Sequence, residues 1–176
     1  MTSIPITPVS PADAVLLGAH LKRHRAESGR GDYHFMPFAP DDPEGPQFVN
    51  FDALAIPVDQ PGWQRWWVAR AGADIVGHID VKGGGIRSVL HRCELGIGIE
   101  RAYRNQGLGR ALMQTAINFC RHAQSIDWLD LRVFAHNQNA RHLYQSLGFE
   151  ERGQFEDWIR IGPTSIDDVL MTLSVA

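Results

Sequence analysis

Apolar positions along this chain follow two rhythms. One is alternation. Leu95, Ile97 and Ile99 alternate with glycines, and Leu129, Leu131 and Val133 alternate with charged residues, so Val89 to Glu100 and Trp128 to Phe134 read as strands. Trp66 to Arg70 and Ile75 to Val81 flank the turn Ala71-Gly72-Ala73-Asp74, a hairpin signal. Gln154 to Ile161 and Asp168 to Val175 read as a closing pair around Gly162-Pro163, and Ile4 to Val9, with two prolines, reads as a short edge strand at most. The other rhythm is helical. Leu108, Ala111, Leu112, Ala116, Phe119 and Ala123 recur at helical spacing with no proline between them. Val15, Leu16, Leu17, Ala19 and Leu21 predict an earlier helix, with Ser10 as its N-cap and Pro11 in its first turn. It ends before Ser28-Gly29, and the basic run Lys22 to Arg25 suits its C-terminus. Asn139 to Leu147 is a short helix closed by Gly148.

Gly29 to Gly62 follows neither rhythm. It holds six prolines and five aromatics (Tyr33, Phe35, Phe38, Phe48 and Phe51), with room for a helical turn or two over Phe48 to Ile56. A long ordered loop of this kind is usually functional. Aromatics packing over a sheet edge account for the same composition.

Composition narrows the class. A chain of 176 residues, 44% hydrophobic and 21% charged, fits one globular domain over 1–176, with a core that needs no staples. The net charge of -3 gives no basic footprint for nucleic acid. No apolar stretch is long enough to span a bilayer, and no basic start followed by an apolar block marks a signal peptide. Cys93 and Cys120 both fall in apolar runs and read as buried free thiols, which suits a reducing cytoplasm.

The chemistry concentrates between strand and long helix, at Arg104-Asn105-Gln106-Gly107-Leu108-Gly109-Arg110. A glycine-bearing turn there leaves the first backbone N–H groups of the helix unpaired and pointing outward. With the positive end of the helix dipole they suit a phosphate or pyrophosphate, and Arg104 and Arg110 bracket the turn. A P-loop is excluded because no Gly-x-x-x-x-Gly-Lys-Ser/Thr run exists. The dinucleotide fingerprint fails because Leu112 stands where its third glycine belongs. The pattern Arg/Gln-x-x-Gly-x-Gly fits.

At these residues the chain resembles the GNAT superfamily of acetyl-CoA-dependent N-acetyltransferases. Asn137-Gln138-Asn139-Ala140-Arg141-His142-Leu143-Tyr144-Gln145-Ser146-Leu147-Gly148-Phe149 resembles that family's second signature, Asn-x-x-Ala-x-x-Leu-Tyr-x-x-x-Gly-Phe, in order and spacing. The resemblance covers roughly Ile75 to Leu173. It implies an α/β fold: a mixed, largely antiparallel sheet with helices on both faces and a splayed central strand pair that takes acetyl-CoA.

It also implies roles. Backbone groups from Gln106 to Arg110, with Leu108 and Gly109 among them, would hold the pyrophosphate. Those of Ile97, Gly98 and Ile99 would pair with the pantetheine arm, and one of them would face the thioester oxygen. Asn137 would lie beside the arm, and it also suits an N-cap. Tyr144 would protonate the departing thiolate as general acid. Glu94 shares a strand face with Gly96 and Gly98 and is the first candidate for the base, with Glu100, His78, Asp80 and His136 behind it. The segment 29–62 would wall the acceptor site. His20 and His24 stand one helical turn apart, but Leu21 occupies the place of a zinc-protease glutamate. No metal is expected, and the two histidines read as a solvated helix face.

The expected activity is acetyl transfer from acetyl-CoA to a primary amine, that of a small molecule before that of a peptide. The tail Phe155 to Gly162, followed by Asp167 to Met171, resembles a branch containing both kinds of enzyme. Rival readings are a longer acyl-CoA as donor, or a non-catalytic CoA-binding module. A homodimer is the expectation the resemblance carries.

Overall fold

A computed structural model describes residues 4–30, 34–39 and 49–176. Tyr33, Pro40, Pro43, Pro46 and Phe48 of the proline- and aromatic-rich stretch lie outside the described residues.

Among the described residues, seven strands form one sheet in the order β1-β2-β3-β4-β5-β7-β6. They are β1 (Ile6–Pro8), β2 (Gln64–Ala71), β3 (Asp74–Gly83), β4 (Arg92–Ile99), β5 (Trp128–Phe134), β6 (Glu150–Ile161) and β7 (Thr164–Ser174). Every neighbouring pair is antiparallel except β4 with β5. The α-helices among the described residues are α1 (Ala14–Ala26), α2 (Leu108–His122) and α3 (Gln138–Ser146). The mixed, largely antiparallel α/β fold expected from the sequence is the fold observed.

The central pair positions everything else. Parallel pairing between β4 and β5 runs only from Arg92↔Trp128 to Leu95↔Leu131. Beyond it β4 stays bound to β3 as far as Ile99↔Gly77, while β5 continues along β7 to Phe134↔Asp168. The two strands therefore part and leave a V. In the β3–β4 ladder the Glu100 N–H donates to the Val76 carbonyl. Antiparallel bonding alternates, so Gly96 and Gly98 face β3 with their backbone groups, whereas those of Ile97 and Ile99 point into the V.

Helices cover both faces. Leu17 and Leu21 of α1 pack with Val68 and Ile75 in one small core. Leu112, Met113, Ala116 and Ile117 of α2 join Ile79, Val81, Leu95, Leu131 and Met171 in the main core on the opposite face. Trp66 and Trp67 divide between the two: Trp67 packs against the α2 side at 5.2 Å from the Phe119 ring, and Trp66 stacks at 5.5 Å on His78. Cys93 and Cys120 are buried free thiols with their sulfurs 3.7 Å apart.

Two expectations need correction. The closing hairpin is longer than Gln154–Ile161 with Asp168–Val175, because the two-residue turn lets pairing start at once with Ile161↔Thr164. β6 is exposed along nearly its whole length, so its first residues carry no apolar alternation to announce a strand. The second correction concerns α1. His20 and His24 are not on a solvated face; they are 0% and 5% exposed. They continue the buried line of Leu17 and Leu21 at helical spacing, and His20 is accommodated there by hydrogen-bonding both ring nitrogens.

Candidate active site

A cavity of about 700 Å³ occupies the V and runs along the start of α2. Its walls include Leu95 to Ile99 of β4, Leu131 to Phe134 of β5, the turn residues Arg104, Asn105 and Gly107, and Asn137 and Tyr144 from the α3 region. Phe35, Met36 and Pro37 add to its wall from the proline- and aromatic-rich segment.

The turn before α2 has the conformation the glycine pattern asks for. Asn105 has φ 59° and Gly107 has φ 84°, so two left-handed residues reverse the chain just ahead of the helix. As the first helical residues, Leu108, Gly109 and Arg110 have N–H groups without intrahelical acceptors. The Leu108 side chain turns into the core, and Gln106 folds back to donate to the Ala102 carbonyl at 2.9 Å. Neither lines the cavity, so their part in any anion site is through the main chain. Both arginines are held. Arg104 donates through Nε to the Ile99 carbonyl at 2.9 Å, pairs with Glu27 at 3.2 Å and lies 4.4 Å over the Phe35 ring. Arg110 donates to the Ser146 hydroxyl at 2.7 Å, which ties the start of α2 to α3.

α3 is fixed at both ends. The Asn137 side chain accepts from the Ala140 N–H at 3.3 Å as N-cap, and Asn137 lines the cavity as well. At the other end the Phe149 N–H donates to the Tyr144 carbonyl and the Gly148 N–H to that of Gln145, with Gly148 at φ 95°. This is a Schellman closure. Between the two ends Tyr144 is 7% exposed, lines the cavity, and has its hydroxyl pKa pushed up to about 12 by burial. It therefore holds its proton throughout the neutral range.

The acidic candidates separate. Glu94 is half exposed, 3.7 Å from Lys82, and is not among the cavity-lining residues. Asp80 lies opposite Gly96, where a Cβ would fall 2.7 Å from its Oδ1. Its carboxyl is pushed up to about 7, chiefly by burial, with Glu94 adding and Lys82 opposing. His136 is exposed, with Nε2 2.6 Å from the His34 carbonyl oxygen.

His78 and Glu100 belong to one group. Glu100 lies 2.8 Å from Nδ1 of the fully buried His20, and Nε2 of His20 lies 2.9 Å from Nδ1 of His78. His24 and His78 both line the cavity at Gly98, where an added Cβ would meet His78 at 2.4 Å and His24 at 2.8 Å. Burial pulls all three imidazoles below their usual range, His24 to about 3. The contacts within this group join residues 58 and 80 positions apart, so no local motif announces it. The readable signal was the helical spacing that puts His20 and His24 on the same side of α1 as Leu17 and Leu21. Among the described residues no group of three or more metal-ligating side chains is set to hold an ion.

Known proteins bear on this arrangement. The sequence profile of the Acetyltransferase (GNAT) family matches residues 32–149. An L-amino acid N-acetyltransferase of Escherichia coli, AaaT, is 36% identical over 97 residues, which is 54% of this chain and 58% of that protein. The N-alpha-acetyltransferase RimI of Mycobacterium tuberculosis is 29% identical over 124 residues, 70% of this chain and 72% of its own length. The crystal structure of an acetyltransferase of the GNAT family from Streptococcus pneumoniae superposes with a TM-score of 0.85, at 27% identity, over 98% of this chain and 99% of that one. The match to AaaT thus spans well under two thirds of its length, whereas the structural match is nearly end to end.

Proposed function

The chain belongs to the GNAT acetyltransferase family, and from that premise we propose that it transfers an acetyl group from acetyl-CoA directly to the primary amine of a small molecule. The observation that carries this reading is the V between β4 and β5, with backbone groups that pair with no strand on one wall, the α2 turn at its mouth and a buried tyrosine beside it.

The main-chain groups from Gln106 to Arg110 hold the pyrophosphate of acetyl-CoA, whose negative charge meets the positive end of α2. The backbone groups of Ile97 and the N–H of Ile99, whose carbonyl Arg104 occupies, pair with the pantetheine arm along the open edge of β4, and Asn137 lies on the same path. An N–H at that edge faces the thioester oxygen as the carbonyl carbon becomes tetrahedral. Tyr144, protonated at neutral pH, donates its hydroxyl proton to the sulfur as the C–S bond breaks. The protein acts as a homodimer, as the family resemblance implies, in a reducing cytoplasm, which the free thiols of Cys93 and Cys120 suit; sedimentation of the purified chain tests the first half of that statement.

For the acceptor, the likeness to an L-amino acid N-acetyltransferase supports a small amine. Phe35, Met36 and Pro37 line the cavity and belong to the segment expected to wall the acceptor site, which agrees with it. The likeness to RimI supports the second reading, acetylation of a peptide N-terminus. Free-thiol release from acetyl-CoA across amino acids, polyamines, aminoglycosides and short peptides separates the two. We expect turnover with an amino acid or other small amine. Turnover confined to peptides would transfer the assignment to the second reading. In the same assay Tyr144→Phe lowers kcat at least about tenfold while acetyl-CoA affinity stays within twofold of wild type. Equal turnover would remove Tyr144 from the chemistry.

A further inference from the structure

We propose that His78 is the general base of this reaction and that His20 and Glu100 are positioning residues that fix its tautomer and take up the charge it acquires. This inference rests on the acetyl-transfer reading and supplies the group that reading lacks, a base that borders the cavity. Glu94 stands outside the lining beside Lys82.

The polarity of the chain follows from one end. A carboxylate only accepts, so at 2.8 Å the Nδ1–H of His20 donates to Glu100. The Nε2 of a neutral His20 must then be an acceptor, and at 2.9 Å it receives the Nδ1–H of His78. That leaves Nε2 of His78 as a lone pair on a side chain that lines the cavity. Two buried imidazoles are thus locked in the Nδ1–H tautomer by one carboxylate. Arg23 holds that carboxylate in place, its Nη2 2.9 Å from the same Glu100 oxygen.

The arrangement also answers a difficulty. Burial holds His78 well below its ordinary range, which keeps it neutral and available but makes it a weak base on its own. When the amine nitrogen bonds to the thioester carbon, its N–H proton passes to Nε2 of His78. The Nδ1 proton of His78 then shifts to Nε2 of His20, which places the positive charge against Glu100. The C–S bond breaks and the sulfur takes the Tyr144 proton. Reversal of the shift returns the proton through His78 Nε2 to water once product leaves, and water restores Tyr144. Protons balance, and the chain resets to its starting tautomers.

Other groups act on this pair. From α1 come His24, Arg23 and Glu27, and from the turn after β4 comes Arg104, which bears on His24; Asp80, two residues along β3, responds to Lys82 and Glu94 instead. Trp66 of β2 stacks on His78 and carries no charge. None of these interposes between His20 and Glu100.

Two measurements on the full chain test the proposal. Nitrogen-15 NMR of the histidine rings at neutral pH reads the tautomers without any turnover. Nδ1–H on both His20 and His78 is the expected result, and Nε2–H on either would overturn the chain whatever the enzyme does. Kinetics follow on the best acceptor. His78→Ala lowers kcat/KM about 100-fold or more at pH 7, with acetyl-CoA binding retained, and added imidazole restores part of the loss. Glu100→Gln, at a site that borders solvent, lowers the rate about tenfold and moves the acid limb of kcat/KM to lower pH, because the base has lost the negative charge that raised its affinity for a proton. A rate loss with the limb unmoved would make Glu100 merely structural and sink the proposal, as would a His78→Ala variant within threefold of wild type. If His78→Ala does not fold, Glu100→Gln and the tautomers decide. A wild type silent toward every amine would instead count against the acetyl-transfer reading, and the tautomer result would still stand.

Discussion

Asp80, on β3 opposite Gly96, shows how much a single position beside the glycine-lined face of β4 is asked to bear. Gly96 and Gly98 make room there, one for the Asp80 carboxyl and the other for His78 and His24. Burial raises Asp80 to about 7 from the ordinary 3.8, so the folded state binds its proton more tightly than the unfolded chain does. The sign follows from linkage: the group costs nothing below about pH 4, and stability falls as pH rises from there to about 7. Asp80→Asn removes that cost. We expect it to stabilise the protein by up to about 4 kcal/mol at pH 8 and by nothing at pH 4, read from urea melts at both values. A gain independent of pH would mean that the carboxylate is not the source. Residues that sit within a motif, Tyr144 and the glycines of the turn, were legible in the sequence at this scale, and they line the cavity. His20 was not, because an imidazole reads as polar until its partners are known, and its partners arrive from β3 and from the residue just past β4.

Elements were legible wherever one face is buried and the other wet. α2 and β5 carried that contrast and appeared within a residue or two of their observed limits. β6 lacks it, since an edge strand exposed along its length gives alternation nothing to record. The ends of the helices carry a further distinction. Gly107 and Gly148 both adopt left-handed backbone, but they serve different ends of different helices. A Cβ at Gly107 would meet nothing within 4 Å, and one at Gly148 would come within 3.3 Å of Leu173. Gly107→Ala and Gly148→Ala should each cost about 1–2 kcal/mol of stability from backbone conformation. Only Gly107→Ala should also weaken acetyl-CoA, because only its turn aims N–H groups into the cavity. Denaturant midpoints and titration calorimetry on the two variants separate these effects. Equal loss of affinity in both would show that the turn has no special part in binding.

At the scale of the whole molecule, the parting of β4 from β5 is the costly feature. A sheet that pairs seven strands would gain by closing this gap, yet pairing stops at Leu95↔Leu131. What keeps the strands apart beyond it is the packing on each side: β4 follows β3 and the histidine group beneath α1, while β5 follows β7. Along the resulting edge of Ile97 and Ile99 the backbone has no strand partner; the Ile99 carbonyl takes the Arg104 Nε–H, and an extended polar arm can satisfy the other groups without the ordering cost of a loop. Acetyl-CoA should therefore act as the missing strand. At 100 times its dissociation constant it contributes about 2.7 kcal/mol, which for a chain of this size raises Tm by roughly 5–10 °C. Hydrogen exchange should slow at the amides of Ile97 and Ile99 and at the start of α2, and remain unchanged along β6, which the cavity does not touch. Protection spread evenly over the sheet would point to general tightening. A rise in Tm without protection at Ile97 and Ile99 would place the arm elsewhere in the V.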